Sequence, residues 1–155
     1  MNRCKGAYML LGLFLLLFIL AACSSAPKDQ PPPRATATEA AKFAEYGNSF
    51  FSEAQYKKAA EMYTLAMNSY IRIDNQLGTA MCYNALGKTY LAQTETEKAE
   101  RMFQSAVSTL SVFKPIEKAK PKIREVAAET YNNLGEFSFR FKNYNEALTW
   151  FEKGI

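Results

Sequence analysis

The side chains that could do chemistry in this chain are few. Histidine is absent from all 155 residues. That excludes histidine-based triads, histidine-ligated zinc and imidazole general bases together. No G-x-x-x-x-G-K, G-x-G-x-x-G, G-x-S-x-G or C-x-x-C stretch occurs, so phosphate cradles, nucleophile elbows and redox pairs have no foothold. The carboxylates are scattered along helical surfaces, where they read as a solvated face. What remains is three thiols (Cys4, Cys23 and Cys82) and one lysine-rich stretch. Lys114, Lys118, Lys120, Lys122 and Arg124 stand against Glu117 and Glu125, a local excess of +3 punctuated by Pro115 and Pro121. Its bland reading is a solvated inter-repeat helix. Its sharper reading is contact with anionic lipid headgroups or an acidic partner.

The surroundings of Cys23 give that thiol a role. Residues 1–9 carry Arg3 and Lys5 with no acid, residues 10–20 (LLGLFLLLFIL) are uncharged, and Ala21-Ala22-Cys23 follows. Eleven apolar residues are short for a membrane span, which needs about 20, and right for a signal h-region. The alternative is an uncleaved anchor. Leu20-Ala21-Ala22-Cys23 resembles the lipobox of bacterial lipoproteins. The resemblance implies diacylglyceryl transfer to the Cys23 thiol, cleavage after Ala22 and acylation (palmitate among the chains) of the new N-terminus. Several chains on one residue anchor stably, at about 0.8 kcal/mol per buried methylene. Ser24, where the family uses Asp for inner-membrane retention, implies the outer membrane, facing the periplasm. In a Gram-positive host the same signal implies the outer face of the plasma membrane.

Removing residues 1–22 takes Arg3 and Lys5 and leaves 17 basic and 15 acidic residues, a net charge of +2. So small a charge gives no electrostatic footprint for nucleic acid. Cys82 is then the only free thiol and cannot pair within the chain. Its apolar neighbours Met81 and Tyr83 favour a buried small hydrophobe over a reactive thiol.

The elements that would position a binding surface follow a tether. Residues 23–37 hold the lipid site and SSAPKDQPPPRATA, with four prolines and few hydrophobes. Such a composition stays extended rather than folding, spanning on the order of 40 Å at about 3.1 Å per residue. From residue 38 to 155, apolar residues recur at helical spacing. Three segments align on glycine. Phe43-x-x-Tyr46-Gly47-x-x-Phe50 leads to Ala59, Tyr63 and Ala66; Tyr83-x-x-Leu86-Gly87-x-x-Tyr90 leads to Ala99, Phe103 and Ala106; Tyr131-x-x-Leu134-Gly135-x-x-Ser138 leads to Ala147, Phe151 and Gly154. The glycines and alanines suit a close helix crossing, and the aromatics fill the space around it. Thr36-x-x-Glu39 and Thr94-x-x-Glu97 read as helix-opening capping boxes, and Asn143-x-x-Glu146 is close to one.

This pattern closely resembles the tetratricopeptide repeat. It implies an all-α solenoid of helical hairpins with about three repeats, near residues 40–73, 80–113 and 128–155, the last incomplete. The glycine spacings are 40 and then 48 residues, wider than the family's 34, so the helices are longer or the turns wider. In the family, the first helices line a concave groove that binds a peptide or helix. Residue by residue, this implies groove positions at Asn48, Phe51, Asn84, Lys88, Glu129, Asn133 and Arg140, with Ala41, Ala44, Glu45, Ser52, Met81, Ala85, Leu91, Ala92, Asn132, Glu136 and Phe139 completing the set. Asparagine both donates and accepts, so Asn48, Asn84 and Asn133 suit a peptide backbone. Ala44 and Glu129 occupy positions where the carboxylate-clamp members carry lysine, so no such clamp is expected.

The resulting expectation is a membrane-anchored adaptor of the bacterial envelope, with a protein partner and no cofactor beyond the lipid on Cys23. Pilus or secretin assembly and outer-membrane assembly are the settings such modules occupy. The alternative is a self-associating oligomer joined through the second helix of repeat three, where a polar capping helix is not seen. A cell-wall enzyme is the third reading.

Overall fold

The computed structural model describes residues 36–155, so the signal segment, Cys23 and most of the tether lie outside the described residues. Six α-helices follow in order among them: α1 (Ala37–Ser52), α2 (Tyr56–Arg72), α3 (Gln76–Ala92), α4 (Thr96–Leu110), α5 (Pro121–Arg140) and α6 (Tyr144–Gly154). There is no strand among the described residues. Each helix packs on the next, and α3 also packs on α5. The expected all-α hairpin architecture is what these residues adopt. No described helix is long and apolar enough to cross a membrane.

One turn is used four times. After α1, α2, α3 and α5 the chain passes through a single left-handed residue: Ala54 (φ 57°), Asp74 (54°), Thr94 (62°) and Lys142 (63°). The next residue then donates its N–H five residues back. Gln55 bonds the Phe50 carbonyl at 2.8 Å, Asn75 bonds Tyr70 at 2.9 Å, Glu95 bonds Tyr90 at 2.9 Å and Asn143 bonds Ser138 at 2.8 Å. This is a Schellman closure, which satisfies carbonyls that a helix end leaves open.

Three of these turns recur every 20 residues, at 54, 74 and 94. The 40-residue spacing of the first two repeats therefore comes from long helices of 16 and 17 residues, with compact turns. The 48-residue spacing has another cause. α4 runs into two 3-10 turns, Ser111–Phe113 and Ile116–Lys118, before a 20-residue α5. α5 opens at Pro121, where the missing N–H costs nothing because first-turn donors have no helical partner.

Glycine and aromatic residues lock each hairpin. A β-carbon on Gly47 would lie 2.5 Å from Cδ1 and Cε1 of Tyr63, and one on Gly87 or Gly135 would strike Phe103 or Phe151. Ala59 and Ala99 are fully buried and Ala147 nearly so. Gly78 against Tyr70 repeats the device at the α2–α3 junction. Leu86 and Phe103 join these contacts into continuous apolar clusters with Tyr63, Leu134 and Phe137.

The caps only partly follow the sequence. Thr36 Oγ1 accepts the Glu39 N–H at 3.1 Å, as expected. Thr94 does not cap: α4 begins at Thr96 with Glu95 at the cap position. A left-handed Thr94 belongs to the turn, and its hydroxyl donates to the Gln93 carbonyl at 2.6 Å. Asn143 does precede α6, but its side chain makes no capping bond.

Candidate protein-interaction groove

The expected groove positions lie on the first helix of each hairpin: α1, α3 and α5. Five residues keep access to solvent, while two are drawn into the framework. Asn48 is exposed, and its Oδ1 accepts the Tyr63 hydroxyl at 2.8 Å, leaving its Nδ2 group for a ligand. Phe51 is half-buried and meets Tyr56 edge-on, with ring centroids 5.4 Å apart. Phe139 meets Tyr144 in the same way, also at 5.4 Å, but is 60% exposed. Arg140, beside it, is exposed.

The structure brings Lys88 and Glu129 together. The Lys88 ammonium donates to Glu129 Oε1 at 2.8 Å, with both side chains 46% exposed. This links the outer faces of α3 and α5 into one surface carrying both signs of charge. An ion pair so exposed contributes no more than about 1 kcal/mol to folding. Both groups therefore remain open to exchange partners with a bound peptide.

Asn84 is a correction. It is only 1% exposed, and its Nδ2 donates to Thr130 Oγ1 at 2.7 Å. Thr130 in turn donates to the Val126 carbonyl at 2.7 Å. Buried amides are held by hydrogen bonds because desolvating them otherwise is costly. Asn84 is thus a pin between α3 and α5, not groove surface. Asn133 is half-buried, and its Nδ2 lies buried without a protein acceptor.

The basic cluster is also not a helix face. Lys114 sits between the two 3-10 turns, Lys118 ends the second, and Lys120 precedes Pro121. Only Lys122 and Arg124 are helical, and Lys122 pairs with Glu125 at 2.8 Å. All five cations are exposed. Lys114 and Arg124 border a cleft that sequence reasoning missed, and Trp150 lines it as well. The lone tryptophan of the chain was the available signal.

Cys82 is buried, and burial pushes its thiol up to about 12. Burial likewise raises the Tyr63 phenol, helped by the nearby Cys82, to about 12. A thiol that stays protonated is a poor nucleophile, which removes the reactive reading. No group of three or more acidic or thiol side chains among the described residues could hold a metal.

Two family models for the tetratricopeptide repeat match the chain, one over residues 38–110 and the other over residues 127–155. No curated protein matches it. Repeats of this type typically serve as non-catalytic modules that bind other proteins. The matched segments span about two thirds of the sequence and coincide with the three hairpins, and the chain belongs to the tetratricopeptide repeat family.

Proposed function

We propose that the chain is a lipid-anchored adaptor of the bacterial envelope that holds a peptide or helix of a partner protein along α1, α3 and α5. The observation that carries this reading is the set of exposed side chains of mixed chemistry on these helices, joined between α3 and α5 by the Lys88–Glu129 pair. Asn48 offers an amide, Lys88 and Glu129 an exchangeable ion pair, and Phe139 with Arg140 an apolar and cationic end. Peptide grooves combine such backbone-binding groups with a few anchors. The lipobox-like Leu20–Cys23 segment and the proline-rich stretch support a tethered module. Ser24 supports the outer membrane, facing the periplasm, and the settings are pilus, secretin or outer-membrane assembly.

The test has two arms. Cys23→Ser should abolish acyl labelling and leave an unprocessed precursor; an unmodified Cys23 in the wild type would refute the anchor. Separately, Lys88→Ala with Arg140→Ala should lose the partners that the wild type captures from envelopes, while folding as the wild type does. Undiminished capture would refute the groove.

A second reading, self-association through α6, draws on Tyr144 and Leu148, which are 57% and 59% exposed on that helix. Light scattering across concentration decides it, because association follows mass action.

A further inference from the structure

We propose that the cleft between the 114–118 connection, α5 and the last turns of α6 is a second binding site, which takes an acidic peptide segment bearing apolar side chains. Its volume is about 920 Å³, large enough for several side chains of a ligand. The floor is aromatic. Tyr131 and Trp150 stack with centroids 6.1 Å apart and planes 14° from parallel, with Ile116 beside them. The rim is cationic: Lys114, Arg124 and Lys153 border the opening, and the Lys153 ammonium lies 4.2 Å from the Trp150 ring centre. Two carboxylates also stand there, but Glu125 already accepts from Lys122 at 2.8 Å. The rim therefore keeps an excess of positive charge above an apolar base.

That combination matches a ligand with an apolar body and acidic flanks. Charge and apolar lining together set the class of ligand: acidic side chains meet the exposed Lys114 and Arg124, while a neighbouring apolar side chain packs beside the half-buried Tyr131 and Trp150. The site is independent of the groove. Its α5 residues, Arg124, Ala128 and Tyr131, follow a different helical face from Glu129, Asn133 and Glu136.

Trp150 is the only tryptophan in the chain, so its emission reports on this cleft directly. The full chain, held in phosphatidylcholine vesicles, is titrated with a short synthetic peptide alternating Glu and Leu. The expected result is a saturable blue shift of the emission, absent with the peptide in which Lys replaces Glu. Binding should weaken roughly tenfold in the Lys114→Gln, Arg124→Gln double variant and stay unchanged in Lys57→Ala, which removes an exposed cation on α2. Lys114→Gln alone, which lies outside every α-helix, should weaken it in the same direction even if the double variant loses structure. The proposal is overturned by no saturable shift, by an equal response to the Lys peptide, or by double-variant binding equal to wild type. It is also overturned if vesicles containing phosphatidylglycerol shift the emission without peptide, which would assign the cleft to lipid.

Discussion

The amide of Asn84 and the hydroxyl of Thr130, 46 residues apart in the chain, meet at 2.7 Å between α3 and α5. Both residues are buried, and this bond is a buried polar link between the second and third hairpins, beneath the exposed Lys88–Glu129 pair. Asn84→Ala should destabilise the fold by about 1–3 kcal/mol, since it removes the one donor to the buried Thr130 oxygen and leaves a gap, although the Thr130 hydroxyl keeps its bond to the Val126 carbonyl. Chemical denaturation checks this. A loss under about 0.5 kcal/mol, the level of ordinary surface changes, would mean that the pin has no structural weight.

Gly87 tests the crossing of α3 and α4. An alanine β-carbon there would lie 2.5 Å from Cδ1 and 2.8 Å from Cζ of Phe103, which is 1% exposed and has little room to move. Overpacking costs about 1–3 kcal/mol, while glycine to alanine within a helix returns up to about 1 kcal/mol. The clash should win, lowering the melting temperature of Gly87→Ala. Adding Phe103→Leu should recover part of the loss.

Thr94 tests the shared turn. A β-branched residue at φ 62° costs about 1–2 kcal/mol, and glycine there adds about 0.5–1 kcal/mol of unfolded-chain entropy. Thr94→Gly should therefore stabilise by about 0.5–1 kcal/mol, because the only hydrogen bond its side chain loses is to the neighbouring Gln93 carbonyl. A stability midpoint that falls would contradict the closure.

Cys82 gives a dependence on pH. Its folded thiol is raised by burial from an ordinary value of 9.0 to about 12. Between those values the unfolded chain has released a proton that the folded chain keeps. Stability should thus be level with respect to this group below about pH 8 and fall as pH rises through that window. Tyr63, raised from 10.0 to about 12, acts in the same direction. Urea midpoints at about pH 8 and pH 10.5 should separate less in Cys82→Ala than in the wild type. Equal separation would place the effect elsewhere.

The hairpins were legible in the sequence because their code is steric and local. Gly47, Gly87 and Gly135 each face an aromatic residue on the next helix, and that spacing survives in the bare string. The burial of Cys82 was legible for the same reason. Asn84 was not, since nothing near it announces a hydroxyl 46 residues away. Thr94 misled because Thr-x-x-Glu is a capping signature only when the backbone is extended at the threonine, and here φ is 62°. The lysine-rich stretch reads as one helix, but Pro115 and Pro121 bound a segment too short for an α-helix; it folds as a 3-10 turn, and only Lys122 and Arg124 enter α5.

Partners are proposed to bind along α1, α3 and α5. A photo-reactive benzoylphenylalanine in place of Phe139, 60% exposed at the end of α5, tests this most directly in intact envelopes. The control carries the same group at Gln104, exposed on α4. The account predicts a discrete crosslinked protein from position 139 that disappears in the Lys88→Ala, Arg140→Ala background, and none from position 104. Crosslinks from position 104 with none from 139 would contradict it.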